Sequence, residues 1–394
     1  MTAIAVTGGV YHERCIWPDW DHFYGSAGRA AAAISGHVDE VVLHSYARPD
    51  TASKFRLYAE MYGFAFVPTS ADQTISFEYV HCLSVPAIRP ARARIRANPM
   101  ISISAEVVLR FAMMEGSACV HANRCVYDPQ SAFEAEAFGA NGSTATHLAI
   151  VGNRSEVLAL GGGLDPIDAA KSLVSKGAEV VVVKAGIAGA DVVDSSGVVH
   201  VPAYRTDRVW TIGSGDVFAA MFAALWGVNG APAVDAARIA SRAVATYVNS
   251  MGLPIPPVGR LGEFPEIGKI EGSVYLASPF FTIGQRWLVD ESRRHLHQFG
   301  LDVFSPVHDV GPGPAEEVAP ADLKALDESD VVFAILDGLD SGTLFEVGYA
   351  LARGKPVYCL AQTVSDEDLK MVVGSGCHVH DDFVTALHHV AWRS

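Results

Sequence analysis

Two stretches of the chain hold residues whose types and spacing suit covalent chemistry. In the first, Asp337, Asp340 and Glu346 stand close together in Asp337-Gly338-Leu339-Asp340-Ser341-Gly342-Thr343-Leu344-Phe345-Glu346-Val347-Gly348. Carboxylates gathered in a pocket act as nucleophiles or proton carriers. Helix capping and loop hydration would account for Asp340 and in part for Asp337. They do not account for Glu346, which reads as lying inside a helix beside Gly348, where small residues allow close approach. The second stretch is Gly213-Ser214-Gly215-Asp216, which opens a helix rich in Ala, Phe and Met. A glycine turn at a helix start offers free backbone N–H groups and the positive end of the helix dipole, an anion site. Asp216 there would repel a phosphate unless it serves as base on an attacking hydroxyl. The alternative is a plain capping aspartate.

These residues need elements to hold them. Residues 331–336 are an unbroken apolar run with β-branched members, the pattern of a parallel strand covered on both faces. Gly338 and Gly342 permit a sharp turn, and Thr343 is suited to cap the following helix, which Gly354 ends. The three acids are therefore expected at the C-terminal edge of a parallel sheet, where open α/β folds hold ligands, so Asp337 is a substrate-binding candidate with the others. Residues 179–184 read as another buried strand, followed by glycines at 186 and 189. Residues 74–83 alternate as a strand of a small flanking sheet or lid. The arginines of 88–96 would project from one face of an extended strand. They would meet a phosphate or carboxylate ligand, pair with acids of another subunit, or remain a solvated edge.

A length of 394 residues implies two or three domains, and residues 258–271, rich in Pro and Gly, read as the linker. The net charge of −15 argues against binding a nucleic-acid polymer. No apolar run reaches membrane-spanning length and the N-terminus lacks a signal-peptide pattern, so a soluble cytoplasmic protein is expected. The six cysteines form no CxxC pair and are expected as buried free thiols. His295, His297, His378 and His380 come in i,i+2 pairs and are expected as surface residues.

Residues 1–257 resemble the ribokinase (PfkB) family of sugar and nucleoside kinases. Gly213-Ser214-Gly215-Asp216 is similar to its Gly-Ala-Gly-Asp signature, Asn153-Arg154-Ser155-Glu156 to its Asn-x-x-Glu motif, and Lys184-Ala185-Gly186-Ile187-Ala188-Gly189 to its Lys-x-Gly-x-x-Gly turn. The resemblance implies a three-layer α/β/α domain that uses Mg²⁺ and ATP. It implies that Asp216 is the base and that Gly213, Ser214 and Gly215 form the anion hole. It also implies that Asn153 and Glu156 hold Mg²⁺ through water, and that Lys184 and Gly186 line the ATP site. Three departures stand out. Val209-Trp210-Thr211 replaces the usual Asp-Thr-Thr. Arg29, in Gly25-Ser26-Ala27-Gly28-Arg29, takes the place of the asparagine that grips the sugar. The early sugar-binding aspartate has no counterpart, His12 and Glu13 standing nearby.

Residues 272–394 resemble the nucleoside 2-deoxyribosyltransferase family and its nucleotide N-glycosidase relatives. The resemblance rests on the opening Tyr275-Leu276-Ala277-Ser278-Pro279, on Ala321-Asp322-Leu323, and on the spacing of Asp340, Gly342, Thr343, Glu346, Gly348 and Ala350. It implies a smaller flavodoxin- or Rossmann-like parallel-sheet domain without a cofactor. It implies Glu346 as a nucleophile forming a glycosyl-enzyme ester, oriented by Tyr275. Asp322 and Asp340 would bind the base and manage its proton, with Phe281 and Gly342 contacting substrate. The expectation is a fused enzyme of nucleoside or nucleotide metabolism that self-associates, moving a deoxyribosyl group between bases. The alternative is a nucleotide hydrolase whose kinase-like domain is a non-catalytic ligand sensor or an oligomerisation scaffold.

Overall fold

The computed structural model describes residues 2–131 and 135–393. The chain divides into two compact units, Met1–Glu266 and Ile267–Ser394, the division falling within the Pro- and Gly-rich stretch 258–271. The part of that stretch before the division is anchored on the first unit. Leu261 is buried, the Arg205 N–H donates to the Pro265 carbonyl at 2.9 Å, and the Gly262 N–H donates to Thr246 Oγ1 at 3.3 Å.

The first unit is built on a nine-stranded sheet in the order Gly197–Val201, Ala190–Asp194, Val180–Lys184, Thr144–Asn153, Ala118–Asp128, Ile101–Phe111, Ala3–Thr7, Glu40–Ala47, Ala65–Ser70. Neighbours pair in parallel except at the Ala190–Asp194 hairpin, which is antiparallel to both its partners. Val180 to Val183 are all buried, as a strand covered on both faces requires. The parallel register brings three polar strand ends to one edge: Asp128, Asn153 and Lys184 each close their strand, with Asn153 opposite Lys184. A second sheet of four strands (Trp20–Phe23, His12–Trp17, Ser76–His81, Ala87–Arg89) contains the segment expected as a flanking sheet or lid.

The second unit carries five parallel strands in the order Asp302–Phe304, Ser273–Ala277, Val331–Ile335, Val357–Leu360, His378–His380. This is the flavodoxin-like order, in which the strand sequence reverses between Ser273–Ala277 and Val331–Ile335 and opens a crevice at their C-terminal ends. The core beneath combines Tyr275, Ala277, Val332, Ala334, Val347, Ala350 and Cys359.

Three expectations are corrected. The arginine-rich stretch is not one extended strand: the strand ends at Arg89, Arg89-Pro90 is a cis bond, and Arg92–Arg94 form a 3₁₀ turn, so the arginines do not share a face. His295 is 2% exposed, because the Ile283–Gln298 helix turns it inward to meet the Phe383 ring edge-on. The cap of the Ser341–Ala352 helix is Asp340 rather than Thr343, whose N–H donates to Asp340 Oδ2 at 2.8 Å. All six cysteines are buried free thiols, and no helix among the described residues is long and apolar enough to cross a membrane.

Candidate active sites

In the second unit, Tyr275 rises from the buried centre of its strand and donates its hydroxyl proton to Glu346 Oε1 at 2.6 Å. Glu346 lies in mid-helix, as expected, where backbone N–H groups are already engaged, so its side chain takes the hydroxyl as partner. Burial pushes its carboxyl up to about 7, and the nearby Asp322 and Asp340 carboxylates push the same way against the Tyr275 bond. Asp322 sits within the Ala315–Glu328 helix, with a buried Oδ1 that has no protein hydrogen bond; burial raises its pKa too. The Tyr275 phenol is held well above its ordinary range by burial and then by Glu346. Glu346 and Asp322 thus both act on the Tyr275 phenol, and Asp322 and Asp340 both act on Glu346, the setting that tunes carboxyls apart in acid–base chemistry.

The other residues singled out in this unit have structural partners. Asp340 Oδ2 caps its helix through both the Thr343 N–H and the Thr343 hydroxyl, and a side chain at Gly342 would meet that oxygen at 3.1 Å. Asp337 is turned toward the next strand end, accepting from the backbone N–H groups of Gln362 and Thr363 and from the Thr363 hydroxyl. Phe281 is 72% exposed on its turn. Gln285 fixes that turn by accepting from the Phe281 and Thr282 N–H groups. Its amide nitrogen lies 3.5 Å from where a Gly338 side chain would begin, so it reaches toward the loop after the neighbouring strand. Gly348 faces open space, with nothing within 4 Å of where a Cβ would stand.

In the first unit, Asp216 lies in the opening turn of the Ser214–Phe222 helix and is buried. The helix is entered through Gly213 at φ 79°, and a Cβ there would lie 2.1 Å from Arg29 Nε. Glycine is therefore required twice over, by conformation and by space. Arg29 is 1% exposed. It donates to Asp216 Oδ2 at 3.0 Å, to Tyr247 Oη at 3.0 Å, and to both oxygens of Glu13, the Oε1 bond being 3.1 Å. Burial opposes the charge on Arg29, but Glu13, Tyr247 and Asp216 together hold it firmly cationic. Burial pushes Asp216 up to about 6, Asp128 and Glu13 adding to the shift while Arg29 and Lys184 oppose it.

Around this core stand the strand ends. Lys184 Nζ donates to Asp128 Oδ2 at 2.7 Å and lies 3.3 Å from where a Gly215 side chain would begin, beside the glycine turn. Asn153 and Glu156 form a reciprocal capping box, Asn153 Oδ1 accepting at 2.9 Å and Glu156 Oε2 at 2.8 Å. Burial raises the Glu156 pKa, with Asp128 next in effect. Asp128, Glu156 and Asp216 are all buried, and Lys184 is the cation that acts on both Glu156 and Asp216 while pairing with Asp128. That surplus of buried negative charge suits an added cation such as Mg²⁺ held through water by Asn153 and Glu156. Gly186, at φ 58°, opens a 3₁₀ turn in free space just beyond Lys184. A cavity of about 350 Å³ opens over Asp216, walled by Tyr11, Phe77, Tyr79, Met113 and Met114 and floored by Glu13 and Arg29.

Residues 117–257 match the family described as pfkB family carbohydrate kinase, and residues 274–382 match Nucleoside 2-deoxyribosyltransferase. The chain joins a PfkB kinase-like domain to a deoxyribosyltransferase-like domain. The kinase-like domain has the ribokinase fold. Ribokinase from Thermotoga maritima, at 19% identity, superposes with a TM-score of 0.51 over 66% of this chain and 98% of its own. Aminoimidazole riboside kinase from Salmonella enterica, solved with aminoimidazole riboside and an ATP analogue, does so at 15% identity and a TM-score of 0.50 over 66% and 98%. An uncharacterized protein of Ureaplasma parvum serovar 3 is 30% identical over 98 residues, 21% of this chain; the chain spans 62% of that relative's length.

Sequence reasoning missed several members of the kinase-like site. Tyr247 reaches Arg29 across 218 positions, which no local pattern announces. Asp128 and Gln130 were missed as well: Asp128 Oδ1 accepts from the Gln130 backbone N–H at 3.1 Å and from its amide at 3.0 Å, holding Gln130 at φ 55°. An acid closing an apolar strand just before Pro129 was the available signal.

Proposed function

We propose that the transferase-like domain cleaves the N-glycosidic bond of a nucleoside or nucleotide through Glu346. The Tyr275–Glu346 hydrogen bond of 2.6 Å, within a cluster of carboxyls, carries this reading. Ionised Glu346 attacks the anomeric carbon, forming a C–O ester bond as the C–N bond breaks. Asp322, whose burial favours its protonated form, donates a proton to the departing base. An incoming base, or water, then attacks the same carbon and releases Glu346, returning a proton to Asp322. Tyr275 aims the attacking oxygen and withdraws its hydrogen bond toward the phenol as the ester forms. The test is base release from a panel of nucleosides and 5′-monophosphates, with and without an acceptor base. Loss of exchange in Glu346→Ala is expected, and unchanged exchange would sink the mechanism.

For the kinase-like domain the same reading takes a nucleoside as phosphoryl acceptor and Mg-ATP as donor, with Asp216 as base and residues 213–215 around the transferred group. Mg²⁺ there would neutralise phosphate charge, held by Asn153 and Glu156. The cavity supports a nucleoside over a simple sugar. Both Glu13 oxygens are taken by Arg29 and the Gly25 N–H, leaving little for sugar hydroxyls, while Tyr11, Phe77 and Tyr79 offer faces for a planar base.

A second reading rests on the ion pair between Arg29 and Asp216, which occupies an oxygen the base would use. In it the domain binds its ligand without turnover and acts as a sensor. ATP hydrolysis or phosphoryl transfer across the nucleoside panel separates the two, since a sensor binds nucleoside while ATP stays intact.

A further inference from the structure

One side chain links the charged groups around Asp216. Gln130 stands two residues beyond the strand Ala118–Asp128, with φ at 55°. Its amide oxygen accepts from the Ser26 hydroxyl at 2.6 Å, in the first turn of the helix Gly25–Ile34 that carries Arg29. Its amide nitrogen donates to Asp128 Oδ1 at 3.0 Å and reaches Asp216 Oδ1 at 3.5 Å. Ionised carboxylates only accept, so both need the nitrogen and the amide has a single orientation. Asp128 Oδ2 in turn holds Lys184 beside the glycine turn. Arg29 binds Asp216 Oδ2. Gln130 therefore stands at the oxygen of Asp216 that Arg29 leaves, in the wall of the cavity.

We propose that Gln130 is a positioning residue for phosphoryl transfer, selecting Asp216 Oδ1 as the oxygen that takes the acceptor's proton. This role rests on Asp216 acting as the base, as proposed above. Gln130 engages one lone pair of Oδ1 and leaves another for the acceptor hydroxyl, whereas Oδ2 already receives a charged donor. The contact of 3.5 Å is long, as catalytic hydrogen bonds often are before substrate binds. The acceptor proton passes to Oδ1 while the hydroxyl oxygen bonds to the transferred phosphorus. The bond from that phosphorus to the ADP oxygen breaks, and Asp216 later returns its proton to solvent. The amide also moderates charge. Burial raises the Asp216 pKa, Asp128 and Glu13 add to the rise, Arg29 and Lys184 oppose it, and Glu156 and Tyr79 lie within its field. A neutral donor shared by Asp128 and Asp216 favours the ionised form of both.

The test compares the full chain with Gln130→Met, which keeps the length and loses both donors, and Gln130→Glu, which sets an acceptor against two acceptors. Gln130 is itself exposed, so neither change takes anything from the core. Phosphoryl transfer from Mg-ATP is followed across the nucleoside panel, and Asp216 is titrated by carboxyl NMR without ATP, with Asp216→Asn to assign its signal. At pH 7, kcat is expected to fall about 10-fold in Gln130→Met and about 100-fold in Gln130→Glu, with KM for ATP within about twofold. The acid limb of kcat and the Asp216 titration are both expected to move to higher pH from about 6. If the wild type transfers no phosphoryl group while Asp216 still shifts in both variants, the kinase reading fails and the contact that places Oδ1 stands. An Asp216 that titrates as in the parent in both variants overturns the proposal, whether or not transfer occurs. So does a rise in KM for the nucleoside alone with kcat and its acid limb unchanged, because Gln130 would then be a substrate contact.

Discussion

Arg29 and Asp216, 187 positions apart in the chain, meet at 3.0 Å in the interior of the kinase-like domain. The guanidinium also binds Glu13, so one buried cation faces two buried carboxylates. Such a cluster is costly to desolvate and is stable only while every member is paired.

Removing the cation alone should therefore damage the domain. Arg29→Met is expected to lower unfolding free energy by about 3–5 kcal/mol, as for other broken buried pairs. Arg29→Met with Glu13→Leu should recover part of that loss. Without Arg29, which opposes the rise in its pKa, Asp216 should titrate above about 6. Urea unfolding of the variants and carboxyl NMR of Asp216 check the two halves.

Glu346 must be ionised to attack, and burial has pushed its pKa up to about 7. Base release needs ionised Glu346 and protonated Asp322 together, so kcat/KM is expected to be bell-shaped in pH, rising about tenfold per pH unit on the acid limb and falling again on the alkaline limb. The stability effect runs in the other direction. A carboxyl whose folded pKa is raised stabilises the fold below its unfolded value, and that contribution is lost as pH climbs from about 4.5 through about 7. Glu346→Gln should then be more stable than the parent at pH 8, by roughly 1–3 kcal/mol, and little different at pH 5. Paired pH–rate and pH–stability curves test both.

Tyr275→Phe deletes the hydroxyl that holds Glu346 and leaves the ring packed on Phe304, whose centroid lies 5.6 Å away. The expected loss is about 10–100-fold in kcat with KM little changed, because the bond positions the attacking oxygen. Since Tyr275 lowers the Glu346 pKa, the acid limb of the pH profile should also move to higher pH. A purely structural tyrosine would not shift that limb.

Gly213→Ala and Gly186→Ala form a matched pair. Both glycines have positive φ, at 79° and 58°. Only Gly213 also lacks room, its Cβ meeting Arg29 at 2.1 Å, while Gly186 faces open space. Gly186→Ala should cost about 1 kcal/mol from backbone conformation. Gly213→Ala should cost more than about 3 kcal/mol, because backbone strain is joined by displacement of a buried ion pair. Thermal unfolding of the two variants side by side measures the difference.

Much of the architecture is legible in order and spacing. The valine run before Lys184, the apolar run before Asp337 and the glycine turn before Asp216 each announce a strand end or helix start, because backbone preference and burial period are local properties. The same locality explains the errors. Asp340 and Thr343 are both good capping residues, and only the path of the chain assigns the cap to Asp340. Arg92, Arg94 and Arg96 alternate as if on one strand, but Arg92–Arg94 form a 3₁₀ turn instead.

By itself, then, the sequence determined two α/β units, the acids and glycines at their strand ends, and the motifs that mark each family. Tertiary structure alone decided which of those groups touch. Tyr275 reaches Glu346 across 71 positions, Arg29 reaches Tyr247 across 218, and Lys184 reaches Asp128 across 56. It also decided that Asp337 braces a neighbouring loop while Glu346 sits in a crevice with a raised pKa. The reason is physical: propensity and period act over a few residues, whereas desolvation and charge pairing depend on distances that exist only once parallel strands have aligned their ends.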